Sequence, residues 1–301
     1  MFKVQGSMLA KHQFTKFGIL AFAFLLLPLI SFSWGFYCHK LINQKSVYAL
    51  PPGLIQFYKN NEAYITKHAV DPDLRKHSVE KEGAQHCIDI DHYGLHPFDT
   101  VPRYWKDAVK KYSEDTLRKY GILPWTINDY YHRLVKAFKD MDTAKILKIS
   151  ADLGHYGADA CVPLHVTENY DGQFTHQQGI HRLWETLIPE RFSKNYKLDY
   201  SIAHYIHHPL DSTWTVLRYS FSLKEKVLHE DKKLREKFEQ DKMYEIYTGK
   251  KKKDFSVEYI TQYNSKLDGM VEKQLKHSIE FVSSLWYSAW VEAGQPVMYK
   301  K

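Results

Sequence analysis

The stretch from Leu153 to His165 reads LGHYGADACVPLH, and fourteen residues later Gly179 to Glu185 reads GIHRLWE. The first follows an apolar repeat of helical period starting at Thr143, so His155 and Asp159 are predicted on one face of a helix over Thr143–Ala160. Residues four apart on a helix are neighbours, and His181 and Glu185 repeat that spacing. Pro163 stops the first helix, leaving His165 in the following turn. Outward from this centre, helical periodicity dominates and long alternating strand patterns are missing. Amphipathic helices are predicted over Arg103–Tyr120, ended by Gly121, and over Trp125–Lys139. Long C-terminal helices are expected over Pro209–His229 and Val257–Gly294, burying Trp214, Phe221, Phe281, Trp286 and Trp290. Loops are expected near Pro72, Pro97 and Asn169–Gln178. The run Lys250–Lys253 reads as a solvated loop. The expected fold is all-α, a single compact multi-helix domain over residues 34–301.

The N-terminus differs from the rest. Lys3, Lys11 and Lys16 precede the apolar run Phe17–Phe32, which ends in Ser31 and Ser33. A basic start, an apolar centre and small residues before the cut make a secretory signal peptide over residues 1–33, cleaved before Trp34. The protein is then exported, to the periplasm or outside the cell. The alternative is a membrane anchor formed by residues 17–33, although the run is short for a span of about 20 residues and holds Pro28. The net charge of +7 suits an anionic substrate but selects none. Three cysteines, Cys38, Cys87 and Cys161, are an odd number that argues against a disulfide framework. No glycine-rich phosphate loop, Cys-x-x-Cys pair or serine nucleophile motif occurs, so a metal-free mechanism has no motif behind it.

Imidazole nitrogens and carboxylate oxygens are the usual ligands of zinc. One His–acid pair is weak evidence, but two pairs and an intervening histidine in so short a stretch are not a common accident. His155, Asp159 and His165, followed by His181 and Glu185, resemble the pattern of the bacterial zinc-dependent phospholipases C and of the secreted zinc nucleases specific for single strands. The resemblance runs from Trp34 to Glu185. It implies a helical fold around three zinc ions, with the free amino group and carbonyl of an N-terminal tryptophan among the ligands. Trp34 stands at the predicted cut, and His39 in WGFYCHKLIN fits the next ligand. Asp71 and His86, fifteen residues apart, match the spacing of the two that follow. The implied partition places one ion on Asp71, His86, His155 and Asp159, and a second on Trp34, His39 and Asp159. The third falls on His165, His181 and Glu185.

The resemblance further implies hydrolysis of phosphodiester bonds by a water that two zinc ions acidify. Asp71 would orient or deprotonate that water, and Asp159 would bridge two ions. For the substrate, a phospholipid is favoured slightly over single-stranded nucleic acid. The nucleases carry a stacking aromatic residue after the histidine of the HxID motif, where this chain has Cys87. Asp89, however, stands where they use an aspartate to recognise a base, and Asp91 reads as structural. The phospholipases' acidic headgroup residue is replaced by Tyr37. His92, His96 and His176 lie near the ligands in sequence, and His207 and His208 read as exposed loop residues. A zinc-loaded protein without turnover is the reading of another class. No stable protein partner is expected, and the chain is read as a monomer. Only a freed α-amino group has a lone pair for a metal. A protein starting at Trp34 should therefore hold one more zinc ion, by elemental analysis, than a form with one extra N-terminal residue.

Overall fold

The helix that carries His155 and Asp159 is the centre of the molecule. A computed structural model of the chain describes residues 35–76, 78–246 and 253–298. The expected signal segment 1–33, Trp34 and Lys250–Lys252 lie outside the described residues. Within them the chain runs through α1 (Phe36–Tyr48), α2 (Ile55–Asn60), α3 (Glu62–Lys67), α4 (Asp71–Arg75), α5 (Pro97–Thr100), α6 (Trp105–Tyr112) and α7 (Glu114–Lys119). It continues through α8 (Leu123–Lys139), α9 (Thr143–Asp159), α10 (Ile180–Arg182), α11 (Ile188–Phe192), α12 (Pro209–Lys237), α13 (Val257–Lys266) and α14 (Met270–Glu292). The strands among the described residues form one antiparallel ladder, β1 (Tyr244–Glu245) on β2 (Asp254–Phe255). The fold is therefore all-α. Among the described residues no helix is long and apolar enough to cross a membrane.

α9 starts where the Asp142 side chain accepts a hydrogen bond from the Lys145 N–H at 3.0 Å, satisfying one of the helix's orphan donors. From Ser150 to Asp159 every residue is buried, which an amphipathic surface helix does not show. α8, α14 and α1 enclose it. Glycine allows the approach: a Cβ on Gly154 would lie 2.2 Å from Asn43 Oδ1 of α1. Asn43 in turn donates to Ala151 O at 3.1 Å. Trp286 of α14 donates from Nε1 to Ser150 O at 3.0 Å. Large side chains such as Trp184, Trp286, Tyr58 and Phe138 are fully enclosed, each worth about 1.5–3 kcal/mol of burial.

Two predicted helices are divided. Arg103–Tyr120 forms α6 and α7, parted by Ser113 at φ 68°, whose hydroxyl accepts from the Thr116 N–H and caps α7. Val257–Gly294 forms α13 and α14, parted at Asp268 and Gly269, both at positive φ. In each case a local capping signal outweighs a continuous apolar stripe. α12 extends to Lys237, past the expected His229, and Pro72 opens a short helix instead of a loop.

Residues 84–89 are strapped to the turn after α7. Ile122 N–H donates to Ala84 O at 2.7 Å, Leu123 N–H to Cys87 O at 3.1 Å and Asp89 N–H to Tyr120 O at 2.7 Å. Gly121 at φ +91° makes this possible, because a Cβ there would stand 2.2 Å from the Cys87 carbonyl oxygen. Gly121→Ala combines a left-handed backbone strain with a clash against backbone, and should lower the unfolding free energy by at least about 2 kcal/mol. Urea denaturation measures this; an unchanged midpoint would show that the strap gives way freely.

Candidate metal centre

Six segments deliver the side chains. α1 supplies His39, α4 supplies Asp73, the strap supplies His86, and α9 supplies His155 and Asp159. The turn Pro163–Val166 adds His165, and the helix beginning at Ile180 adds His181 and Glu185. Between Leu183 and Leu187 that helix widens into a π turn, a feature often found at functional sites. All of these side chains are buried.

Backbone carbonyls set three of the imidazoles. A carbonyl can only accept, so Nδ1 must carry the proton on His155, which donates to Ala69 O at 2.8 Å. The same holds for His165, which donates to His86 O at 2.7 Å, and for His181, which donates to Tyr170 O at 3.0 Å. In the neutral form of each ring Nε2 then carries the lone pair and faces inward, the arrangement that prepares histidine for a metal. The Ile88 N–H returns a hydrogen bond to His165 O at 2.9 Å, so His86 and His165 fix one another's positions.

The donor atoms gather into three buried groups, each able to hold a metal ion: His39, His155 and Asp159; Asp73, His86 and His155; and His165, His181 and Glu185. In the last, His165 Nε2 and His181 Nε2 are 3.2 Å apart, and Glu185 Oε2 is 3.4 Å and 3.1 Å from them. Neither oxygen of Glu185 makes a hydrogen bond. His155 belongs to both of the other groups, and Asp159, a member of one, also stands against His86 of the other. Asp159 Oδ2 lies 2.9 Å from His86 Nδ1 and 3.3 Å from His155 Nε2, and its Oδ1 lies 3.4 Å from His39 Nε2. His39 stacks on His155 with ring centroids 3.7 Å apart, and neither of its nitrogens has a hydrogen-bond partner. Buried polar atoms left in that state cost stability unless something completes them.

Electrostatics follow the same pattern. Burial works against the Asp159 carboxylate, but His155 and His165 outweigh it and hold its pKa well below the usual carboxylate range. Burial also opposes charge on His155 and His181, yet Asp159 and Asp73 raise the first and Glu185 the second. For His39 burial prevails and its pKa is lowered well below the usual value. Where carboxylates draw protons onto imidazoles, metal ions compete for the same lone pairs, so acidification releases metal.

One expected ligand is replaced. Asp71 points outward with its side chain 39 % exposed, and accepts from His68 Nδ1 at 2.7 Å. Asp73 takes its place, buried, with Oδ1 3.8 Å from both His86 Nδ1 and His155 Nε2. Two positions along a helix turn a side chain to the opposite face, so only one aspartate of Asp71-Pro72-Asp73 can look inward. Lys76, one turn after Asp73, puts Nζ 2.9 Å from Asp73 Oδ1. The sequence reading passed over Lys76 and also Glu82. Glu82 Oε1 accepts from Tyr156 OH at 2.5 Å and from Arg75 at 3.3 Å, and lies 3.8 Å from His86 Nε2. Burial opposes ionisation of Glu82, but His86, Tyr156 and Arg75 bring its pKa down to about 2. The opening Asp-Pro and the Asp73–Lys76 spacing were the available signals.

A cavity of about 280 Å³ opens onto the groups, and its lining includes Lys76, His86, His165 and His181 together with Cys87, Asp89, Arg118 and Lys119. Burial first, then Asp91 and Glu168, push the Asp89 carboxyl up to about 7. Burial pushes the Cys87 thiol up to about 12. Asp91 accepts from Thr167 Oγ1 and the Glu168 N–H at 2.6 and 2.9 Å, a structural use. Tyr37 stands apart from the cavity, hydrogen-bonded to Ser193 Oγ at 3.0 Å. Cys38 and Cys161 are buried free thiols. His92 stacks on Tyr120 and pairs with Glu168. His96, His176, His207 and His208 are exposed.

Compared with known protein families the chain matches no family model, and none of the curated proteins compared is significantly similar to it in sequence. The geometry therefore stands by itself, and it separates two neighbouring aspartates. Asp73→Asn should lower bound metal, measured by elemental analysis after dialysis, whereas Asp71→Asn should leave it unchanged. Equal loss in both variants would contradict the placement of Asp73.

Proposed function

We propose that this protein is a zinc-dependent hydrolase of phosphate diesters, exported and cut before Trp34. One observation carries the reading: the His165, His181 and Glu185 donors stand 3.1–3.4 Å apart. Bonds of about 2.0–2.2 Å in a tetrahedron require ligand separations of roughly 3.3 Å. Three donors at that spacing suit a small divalent ion. Zinc ions held by these groups would lower the pKa of bound water toward about 7 and stabilise negative charge on phosphate oxygens.

The chain's own residues supply the rest. Asp159 belongs to one group and stands against His86 of the next, so a substrate at the cavity would meet a cluster of donors rather than a single group. Asp73 anchors the Lys76 ammonium at 2.9 Å, which holds that cation at the inner end of the cavity, placed to bind the non-bridging oxygens of a phosphate. Arg118 and Lys119 line the same cavity and favour an anionic ester over a neutral one. Hydrogen bonds from Nδ1 of His155, His165 and His181 to carbonyls keep the imidazoles from rotating, so the donors need no rearrangement at each turnover. Asp89 in the same cavity supports single-stranded nucleic acid as substrate, and Cys87 in place of an aromatic residue supports a phospholipid.

The reading is tested with zinc-loaded protein starting at Trp34, offered single-stranded RNA and phosphatidylcholine vesicles in parallel with a chelator control. Chelator-sensitive release from either substrate is expected. Lys76→Met should cut the rate at least about tenfold while metal content stays the same. Absence of hydrolysis of both substrates and of a simple diester such as bis-p-nitrophenyl phosphate would favour the non-catalytic metal protein.

A further inference from the structure

Away from the metal groups, one face of the molecule combines unpaired lysines with uncovered apolar side chains. On α1, Tyr37, Leu41 and Lys45 follow one another at intervals of four and so form a single stripe. The segment 193–206 lies along it. Ser193 Oγ fastens one end, donating to Tyr37 OH at 3.0 Å, and the Ala203 N–H fastens the other, donating to Ala49 O at 2.8 Å. Between stripe and segment runs a groove of about 450 Å³, whose lining joins Leu41, Tyr196 and Leu198 to Lys45, Lys194 and Lys197. A cavity of about 540 Å³ meets the metal-lined one at Arg118, and the groove shares no lining residue with either.

Charge and apolar surface together select what this face meets. None of the three lysines makes an ion pair among the described residues. Asp199 is the one acid in the lining, so the groove is positive. Glu272 and Glu280 of α14 accept from the Lys197 and Ser201 N–H groups at 3.1 Å each, and Glu272 also pairs with Lys276. Beyond the groove the same segment leaves Ile202 70 % exposed, with Tyr205 exposed as well. A nucleic acid or an acidic protein would use the lysines and leave Ile202 and the leucines in water. An anionic bilayer uses both. Ammonium groups reach lipid phosphates while the lysine stems lie on apolar surface, tyrosines suit the headgroup level, and an aliphatic side chain enters the acyl boundary. We propose that this face docks the exported protein on an anionic phospholipid surface. Lys45, Lys194 and Lys197 bind the phosphates, and Ile202 and Tyr205 enter below them. The docking does not depend on the hydrolysis proposed above.

Co-sedimentation with vesicles tests this. Protein starting at Trp34 is mixed with vesicles of phosphatidylcholine alone, or of phosphatidylcholine with an equal part of phosphatidylglycerol. The anionic vesicles should bind at least about tenfold more tightly, and less so as salt rises. Lys45→Gln, Lys194→Gln and Lys197→Gln together should weaken that binding at least about tenfold. Lys232→Gln, Lys233→Gln and Lys237→Gln on α12 change the net charge equally and should leave it unaltered. Ile202→Ser should weaken it while its salt dependence persists. Circular dichroism checks that each variant is folded. Equal affinity for the two vesicle types overturns the proposal, as does equal loss in the two triple variants, which would leave net charge as the cause. Loss of single-stranded RNA binding in the groove variant, with vesicle binding intact, would make this a nucleic-acid face and also overturns it. Selective docking without diesterase activity would refute the hydrolase and keep the docking face. Diesterase activity without a preference for anionic vesicles would do the reverse.

Discussion

A carboxylate with no exposure to solvent sits at the C-terminal end of a helix, and the surrounding structure is arranged around that burden. Asp159 is the last residue of α9, where the helix dipole is already negative and disfavours another anion. Burying such a group without compensation costs several kcal/mol. Compensation comes from His39, His86, His155 and His165, which approach its two oxygens within 2.9–3.6 Å. His155 and His165 bring a difficulty with them, because a neutral imidazole whose Nδ1 proton is given to a carbonyl offers only a lone pair. Carboxylate oxygens and bare nitrogens gathered in one dry space repel one another unless cations stand among them. The donor groups are thus a statement about charge balance before they are a statement about catalysis.

The scaffold answers that demand with stiffness. α9 is held on its α1 and α14 sides by Asn43 and Trp286, and glycines admit the neighbouring helices. His165 Nδ1 donates to His86 O and the Ile88 N–H donates to His165 O, so the strap and the turn after α9 are held together. The π turn around Glu185 places its carboxylate against His181 and His165 together. Stiff donors cost little to organise for an ion.

Much of the centre was readable from spacing alone. His155 with Asp159, and His181 with Glu185, are neighbours on any helix, and local periodicity is sufficient to predict helices there. Spacing failed where two candidates shared a segment. Asp71 and Asp73 flank one proline, and which of them faces His86 depends on how α4 docks, a contact that no local pattern encodes. Glu82 was missed for the same reason, since its partners Tyr156 and Arg75 lie outside its own turn, whereas Lys76 was passed over although its spacing from Asp73 was visible. The breaks at Ser113 and Gly269 were overlooked because an apolar stripe can continue across a bend.

Period, caps and composition are local properties, and from them the all-α class, the central helix and most of the histidine and carboxylate set follow without coordinates. The choice of Asp73 over Asp71, the sharing of His155 between two groups and the meeting of two cavities at Arg118 were decided by the tertiary structure. They arise from packing between segments far apart in the chain. The energy of a buried charge depends on every group within a few ångströms, whatever its distance along the sequence.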